Sequence, residues 1–298
     1  MQVFLMNRRH LLRSSAAVAS SLLVPTRLLA DLAPDNRYRR EIGVQLYTLR
    51  NEIKKDAAGT IQAVADAGYH QGETYGFPNC DEMIAAARDS GLALNSSHIE
   101  WQSVTSPKDG DFGEFEKIVA KGQEVGLTHL VVPYLHDHER KTLDDYKRLA
   151  ENMNKGAVLA RTAGLQLAYH NHSFEFEPME GGQSGFDIFQ EEFAPEMQFE
   201  LDVFWVKLGG VNPVEMIKGL SGRVSQLHLK DLLKGTDIPA WGGLPKEAFE
   251  ELGDGMISME PIIKAAAAAG VAHCHVEQDH SPNPLQSLKQ SMGYLQGL

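Results

Sequence analysis

One pattern recurs eight times along this chain after about residue 40: an apolar run, a polar loop, a helical stretch, a glycine, and the next apolar run. The runs are 43–47, 70–75, 93–98, 129–133, 165–170, 198–202, 224–229 and 272–277. Gly68, Gly91, Gly126, Gly164 and Gly270 precede five of them and suit the left-handed cap of the helix before. Helix starts are also readable. Thr142 with Asp145 forms a capping-box pair, Asn212 precedes Pro213, and Ser258 opens an alanine-rich helix. Strands that alternate with helices pair in parallel. Eight such units over residues 40–298 predict a single (β/α)8 TIM barrel, a fold of ~250 residues. A doubly wound sheet is the competing α/β fold, and it would normally carry a glycine-rich phosphate turn after an early strand. "VQLYTLRNE" has none.

Residues 1–30 read as a separate segment. Arg8 and Arg9 precede a modest apolar stretch, and Arg27 and Ala30 mark a cleavage region. This resembles a twin-arginine export signal, which implies the Tat machinery as a partner and a periplasmic or other extracytoplasmic location. The stretch is too short and too rich in Ala and Ser to span a bilayer, so no stable membrane span is expected after cleavage. The net charge is −12, and those thirty residues hold four arginines and no acid. The remainder is therefore more acidic still, a poor partner for nucleic acid or an anionic membrane. Two cysteines, Cys80 and Cys274, make no disulfide framework. The connection over 232–255 is unusually long and follows the seventh run. Loops of that length are often functional, and this one reads as a flap over the site with Trp241 at its tip.

In a barrel the chemistry sits at the C-terminal ends of strands. Strand three ends with His98 and Glu100. Strand five ends with His170, His172 and Glu175, and strand six with Asp202. Strand seven carries His228, Lys230 and Asp231, and strand eight Glu277 and Asp279. Unpaired buried charge is costly, so this concentration calls for a cation. Glu175, Asp202, His228 and Glu277 offer three carboxylates and one imidazole from four consecutive strands. That set suits Mn²⁺, Mg²⁺ or Co²⁺, with Zn²⁺ also possible. His228 and Lys230 share one strand face, so Lys230 is expected in the same cavity.

"GVQLYTLR", "YHNHSFEF", "LDVFW", "HLKD", "ELGDGMI" and "VEQD" resemble, in order and spacing, the xylose isomerase-like TIM-barrel family of sugar (phosphate) isomerases and epimerases. The resemblance spans nearly the whole chain after the signal. It implies the metal set Glu175, Asp202, His228 and Glu277, with the two glutamates straddling the substrate as catalytic acid and base. His98, His170 and His172 are then substrate-contacting or orienting groups. Ketose epimerases of this superfamily often carry a histidine where this chain has Trp205, which suggests a platform for a sugar ring. The endonuclease IV branch has a basic surface and more histidines, and this acidic chain does not fit it.

The activity this implies is proton abstraction beside a metal-bound carbonyl, giving isomerisation or epimerisation of a small carbohydrate. The same enediolate can instead expel a β-substituent, which would make the protein a lyase on 3-keto-glycosides. A non-catalytic sugar-binding protein is the rival outside enzymology, and a two-metal phosphoesterase is a weaker one.

Overall fold

The structure, a computed structural model, describes Tyr38 and residues 41–298. The twin-arginine segment expected over residues 1–30 lies outside the described residues.

Eight parallel strands close into a barrel: β1 (Gly43–Gln45), β2 (Gln71–Phe77), β3 (Ala93–Ile99), β4 (His129–Val132), β5 (Gln166–His170), β6 (Met197–Asp202), β7 (Val224–Leu229) and β10 (His273–Val276). Each pairs with its sequence neighbour, and β1 closes the ring against β10, with Gly43 opposite His275. Closure excludes the doubly wound alternative, which leaves two open edges. The eight strands coincide with the eight apolar runs to within about two residues at either end. β8 (Asp231–Leu232) and β9 (Phe249–Glu250) form a separate antiparallel pair inside the long connection after β7.

Helices α1 (Ala57–Asp66), α2 (Asp81–Ser90), α3 (Gly113–Val125) and α5 (Gly185–Glu192) lie between successive strands, and further helices begin where the sequence places them. Thr142 and Asp145 form a reciprocal capping box on α4 (Leu143–Thr162), and Asn212 accepts from Val214 N and Glu215 N at the start of α7 (Pro213–Gly219). Ser258 stands at the cap position of α8 (Met259–Ala269), but its hydroxyl makes no capping bond. Gly91, Gly126 and Gly270 end their helices in the left-handed region. No helix of the described residues is long and apolar enough to cross a membrane.

Apolar side chains fill the layer between strands and helices: Tyr169, Phe186, Phe189 and Phe199 are all buried there. The space inside the barrel is different. Interiors of this fold are usually layers of Val, Ile and Leu. Here Gln45, Glu73, Ser96, Glu200, Gln226, His228 and His275 are fully buried. Buried polar groups need partners, and these supply them to one another. Gln45 Nε2 donates to Glu73 at 2.6 Å, and Gln226 Nε2 donates to Glu200 and to Ser96 Oγ, both at 3.0 Å. A register shift between β2 and β3 lets Asn95 bond Gln71 while Ser96 bonds Glu73.

Asp231 anchors the long connection. Its carboxylate accepts from the main-chain N–H of Leu232, Gly253, Gly255 and Ile257 at 2.8–3.1 Å. A Cβ on Gly255 would lie 2.2 Å from Asp231 Oδ1, so only glycine allows this approach. That gives "ELGDGMI" a structural role.

Candidate active site

The strands end in a cavity of about 540 Å³. Its walls are largely aromatic (Trp101, Tyr134 and Trp205 among them), and Lys230, Glu277 and Asp279 carry charge into it.

Asp202 is the last residue of β6 and the N-cap of α6 (Val203–Leu208). Its two oxygens divide the labour. Oδ1 accepts from Phe204 N at 2.9 Å and Trp205 N at 3.2 Å, capping the helix. Oδ2 is buried, accepts no well-aligned hydrogen bond, and lies 3.0 Å from Lys230 Nζ and 3.8 Å from His170 Nε2. From β7, His228 sets Nδ1 2.7 Å from Glu277 Oε2. Lys230, two residues on along the same face, reaches Glu277 Oε2 at 2.8 Å and Asp279 Oδ2 at 3.1 Å. Asp202, His228 and Glu277 each offer a ligand atom, all within 4.8 Å of one another. One nitrogen and two carboxylate oxygens, one of them the buried Asp202 Oδ2, make a donor set that fits a divalent cation.

Charge at the site is dense. Burial alone would lower the pKa of Lys230, but Asp202, Asp279 and Glu277 outweigh it and hold the ammonium well above its usual range. Burial would likewise lower His228, and Glu200 and Glu277 hold it well above 6.5. Glu277 is lowered: Lys230 and His228 overcome its burial. Asp279 moves the other way, up to about 6, through burial and the neighbouring Glu277 and Asp202, against the pull of Lys230. His98 is raised to about 9, because Glu73 and Glu200 outweigh its burial. His170 and His172 are lowered by burial and cationic neighbours, His172 to about 3.

Glu175 is not brought to this cluster. It sits on a 3-10 turn, Phe174–Phe176, five residues beyond the last residue of β5. Its Oε1 accepts from Tyr169 OH at 2.6 Å, and His172 N donates to both oxygens at 2.9–3.0 Å. Tyr169 occupies the outward phase of β5 against Phe189 and Phe193, so Glu175 is turned toward the helix layer. It belongs to no group of converging ligand atoms among the described residues. Burial raises its carboxyl to about 7, against the hydrogen bond from Tyr169. His170 stands on the inward phase of the same strand, with Nε2 3.8 Å from Asp202 Oδ2.

The other expected contacts line the cavity. His98 stacks on His228 with ring centroids 5.3 Å apart. His172 lies 5.2 Å from Trp205, and His172 Nδ1 and Trp205 Nε1 are buried without a partner. The long connection does cover the cavity, through Gly243, Leu244 and Phe249; Trp241 packs against the core instead. Glu73 and Glu200 lie mid-strand, away from the strand ends where the chemistry of a barrel is expected. The spacing of Gln71, Glu73 and Tyr75 on one face was the available signal.

Comparison with known proteins agrees with this architecture. The sequence profile described as xylose isomerase-like TIM barrel matches residues 59–298. An inosose dehydratase of Mesomycoplasma hyopneumoniae (strain J) is 25% identical over 280 residues, covering 84% of this chain and 90% of that protein. A sugar phosphate isomerase/epimerase of Parabacteroides distasonis superposes with a TM-score of 0.70 at 25% identity, covering 90% of this chain and 98% of that one. At 14% identity, the IOLI protein, whose structure holds a zinc atom, superposes with a TM-score of 0.63 over 85% of this chain and 95% of its own, a likeness of fold alone.

Proposed function

The chain belongs to the xylose isomerase-like TIM barrel family, and from that premise we propose that it is a divalent-metal-dependent lyase acting on a keto-sugar or keto-polyol. The observation that carries the reading is the convergence of one ligand atom each from Asp202, His228 and Glu277 within 4.8 Å of one another, beside the ammonium of Lys230. We assign His170 Nε2, 3.8 Å from Asp202 Oδ2, as the fourth donor. A cation held there would polarise a carbonyl and acidify the adjacent C–H.

The chain's own residues supply the rest. Glu277 faces the cavity as a carboxylate and takes the proton. Lys230 stabilises the negative charge that develops on the carbonyl oxygen. The electron pair left by the proton then expels the β-oxygen substituent, which His98 protonates as it leaves. Water or an alcohol departs and an enone remains. Trp205 and His172 hold the ring.

Elimination needs one base and one acid. Epimerisation across a plane needs a second acid–base group on the opposite face, and the residue expected there, Glu175, is turned to the helix layer. The similarity to an inosose dehydratase supports the same choice. Isomerisation or epimerisation is the second reading, favoured by the likeness to the Parabacteroides protein. Twin-arginine export to the periplasm remains part of the proposal on the strength of Arg8–Arg9; fractionation of cells carrying Arg8→Lys with Arg9→Lys tests it.

Mass spectrometry of the Mn²⁺-loaded protein with a keto-inositol, a 3-keto-glycoside and free ketoses in D₂O tests the chemistry. A product lacking water or the glycosidic substituent supports the lyase. Deuterium in an intact sugar supports the isomerase. Absence of both a shortened product and deuterium exchange with all of them overturns both readings and favours the sugar-binding protein.

A further inference from the structure

Beneath the cavity floor, Glu73 and Glu200 are fully buried under three imidazoles. Glu73 Oε1 lies 2.7 Å from His228 Nε2 and 3.1 Å from His98 Nε2. Glu200 Oε2 lies 2.9 Å from His98 Nε2, 3.1 Å from His170 Nδ1 and 3.3 Å from His228 Nε2. An ionised carboxylate only accepts, so the imidazole nitrogens facing this pair carry protons. The nitrogens on the other side are His228 Nδ1, 2.7 Å from Glu277 Oε2, and His170 Nε2, 3.8 Å from Asp202 Oδ2.

We infer that Glu73 and Glu200 are positioning residues that decide which nitrogen of each histidine is offered to a divalent cation: Nδ1 of His228 and Nε2 of His170. The inference rests on the cation site proposed above and adds what prepares it. A neutral imidazole of the wrong tautomer presents an N–H to the cation in place of a lone pair. Partners that fix the tautomer therefore contribute to affinity without touching the ion.

The two carboxylates are themselves held in place. Gln45 Nε2 and Ser96 Oγ donate to Glu73, and Gln226 Nε2 donates to Glu200 Oε1. These donors come from β1, β3 and β7, so most of the barrel wall takes part in orienting two rings. This accounts for a polar interior where the fold usually places aliphatic layers.

The test is ¹H–¹⁵N long-range NMR of the histidine side chains, with Zn²⁺ as a diamagnetic probe, together with calorimetric titration of Zn²⁺. In the cation-free protein His170 is expected as the Nδ1–H tautomer. On Zn²⁺ addition, His228 keeps its Nε2 proton and gives up the one on Nδ1. Glu200→Gln offers an amide that can donate as well as accept. It is expected to mix the His170 tautomers and weaken Zn²⁺ binding by about 10- to 100-fold. Glu73→Gln should weaken binding on the same scale through His228. Glu200→Asp, which keeps the charge, should restore the His170 tautomer. Finding His170 protonated at Nε2 in the unaltered protein overturns the inference, and no variant needs to fold for that result. So does a Glu200→Gln protein with unchanged tautomer and affinity. If the unaltered protein binds no Zn²⁺, the cation site of the proposed function fails, while the His170 tautomer still decides this inference separately.

Discussion

Two buried glutamates follow barrel strands in this protein, and their surroundings are opposite. Glu277 comes directly after β10, on the face that carries His275 into the barrel. Its Oε2 lies 2.8 Å from Lys230 and 2.7 Å from His228, and those cations keep it ionised. Glu175 comes after a turn beyond β5. It meets a tyrosine hydroxyl and a main-chain N–H, and its carboxyl is raised to about 7 by burial. Proximity to a strand end is shared by both. What separates them is phase: the residue that leaves β5 inward is His170, and Tyr169 draws Glu175 to the outside. A strand-end acid becomes a site residue when the strand's alternation carries it in.

The largest effect expected is at Glu277. On the proposed mechanism Glu277→Gln removes both the base and a cation donor, and kcat/KM should fall by roughly 10²–10⁴, measured on the substrate that turns over in the mass-spectrometric test. Next comes the ammonium. Lys230→Met, assayed with saturating Mn²⁺, should lower kcat by about 10²–10³, the range for losing one preorganised charge-stabilising donor. At the other glutamate the effect moves from catalysis to stability. Glu175→Ala leaves Tyr169 OH and His172 N–H without an acceptor and should cost about 1–3 kcal/mol in urea unfolding. Cation affinity should change little.

The smallest effect is a pH slope. Glu175 has a folded pKa of about 7 against an ordinary 4.5, so the folded state holds its proton longer than the unfolded chain does. Stability from this group is fully present below about pH 4.5 and is lost as pH rises through 7. Glu175→Gln should flatten that loss in melting curves taken across the interval. A slope unchanged by the substitution would remove the contrast between the two glutamates.

Much of this was legible in the sequence, and the exceptions have physical reasons. The eight strands could be read because apolar runs and glycine caps are local signals. The meeting of Asp202, His228, Lys230 and Glu277 in one place was legible because each sits at a strand end on the inward phase. The placement of Glu175 was not legible because "YHNHSFEF" leaves its strand through a 3-10 turn, and strand alternation does not extend through a turn. Glu73 and Glu200 stayed hidden because a mid-strand acid normally argues against burial, and only closure of the barrel places Gln45, Ser96 and Gln226 around them. Asp231 looked like a site residue beside Lys230. Its four main-chain partners all lie in or beside the connection that returns to α8.

The most direct measurement is calorimetric titration of Mn²⁺ into the unaltered protein, Glu277→Gln and Glu175→Gln. The account predicts one Mn²⁺ per chain for the unaltered protein and for Glu175→Gln, with similar affinity, and none for Glu277→Gln under the same conditions. Loss of Mn²⁺ from Glu175→Gln with binding retained by Glu277→Gln would contradict it, and would return the cation to the turn after β5.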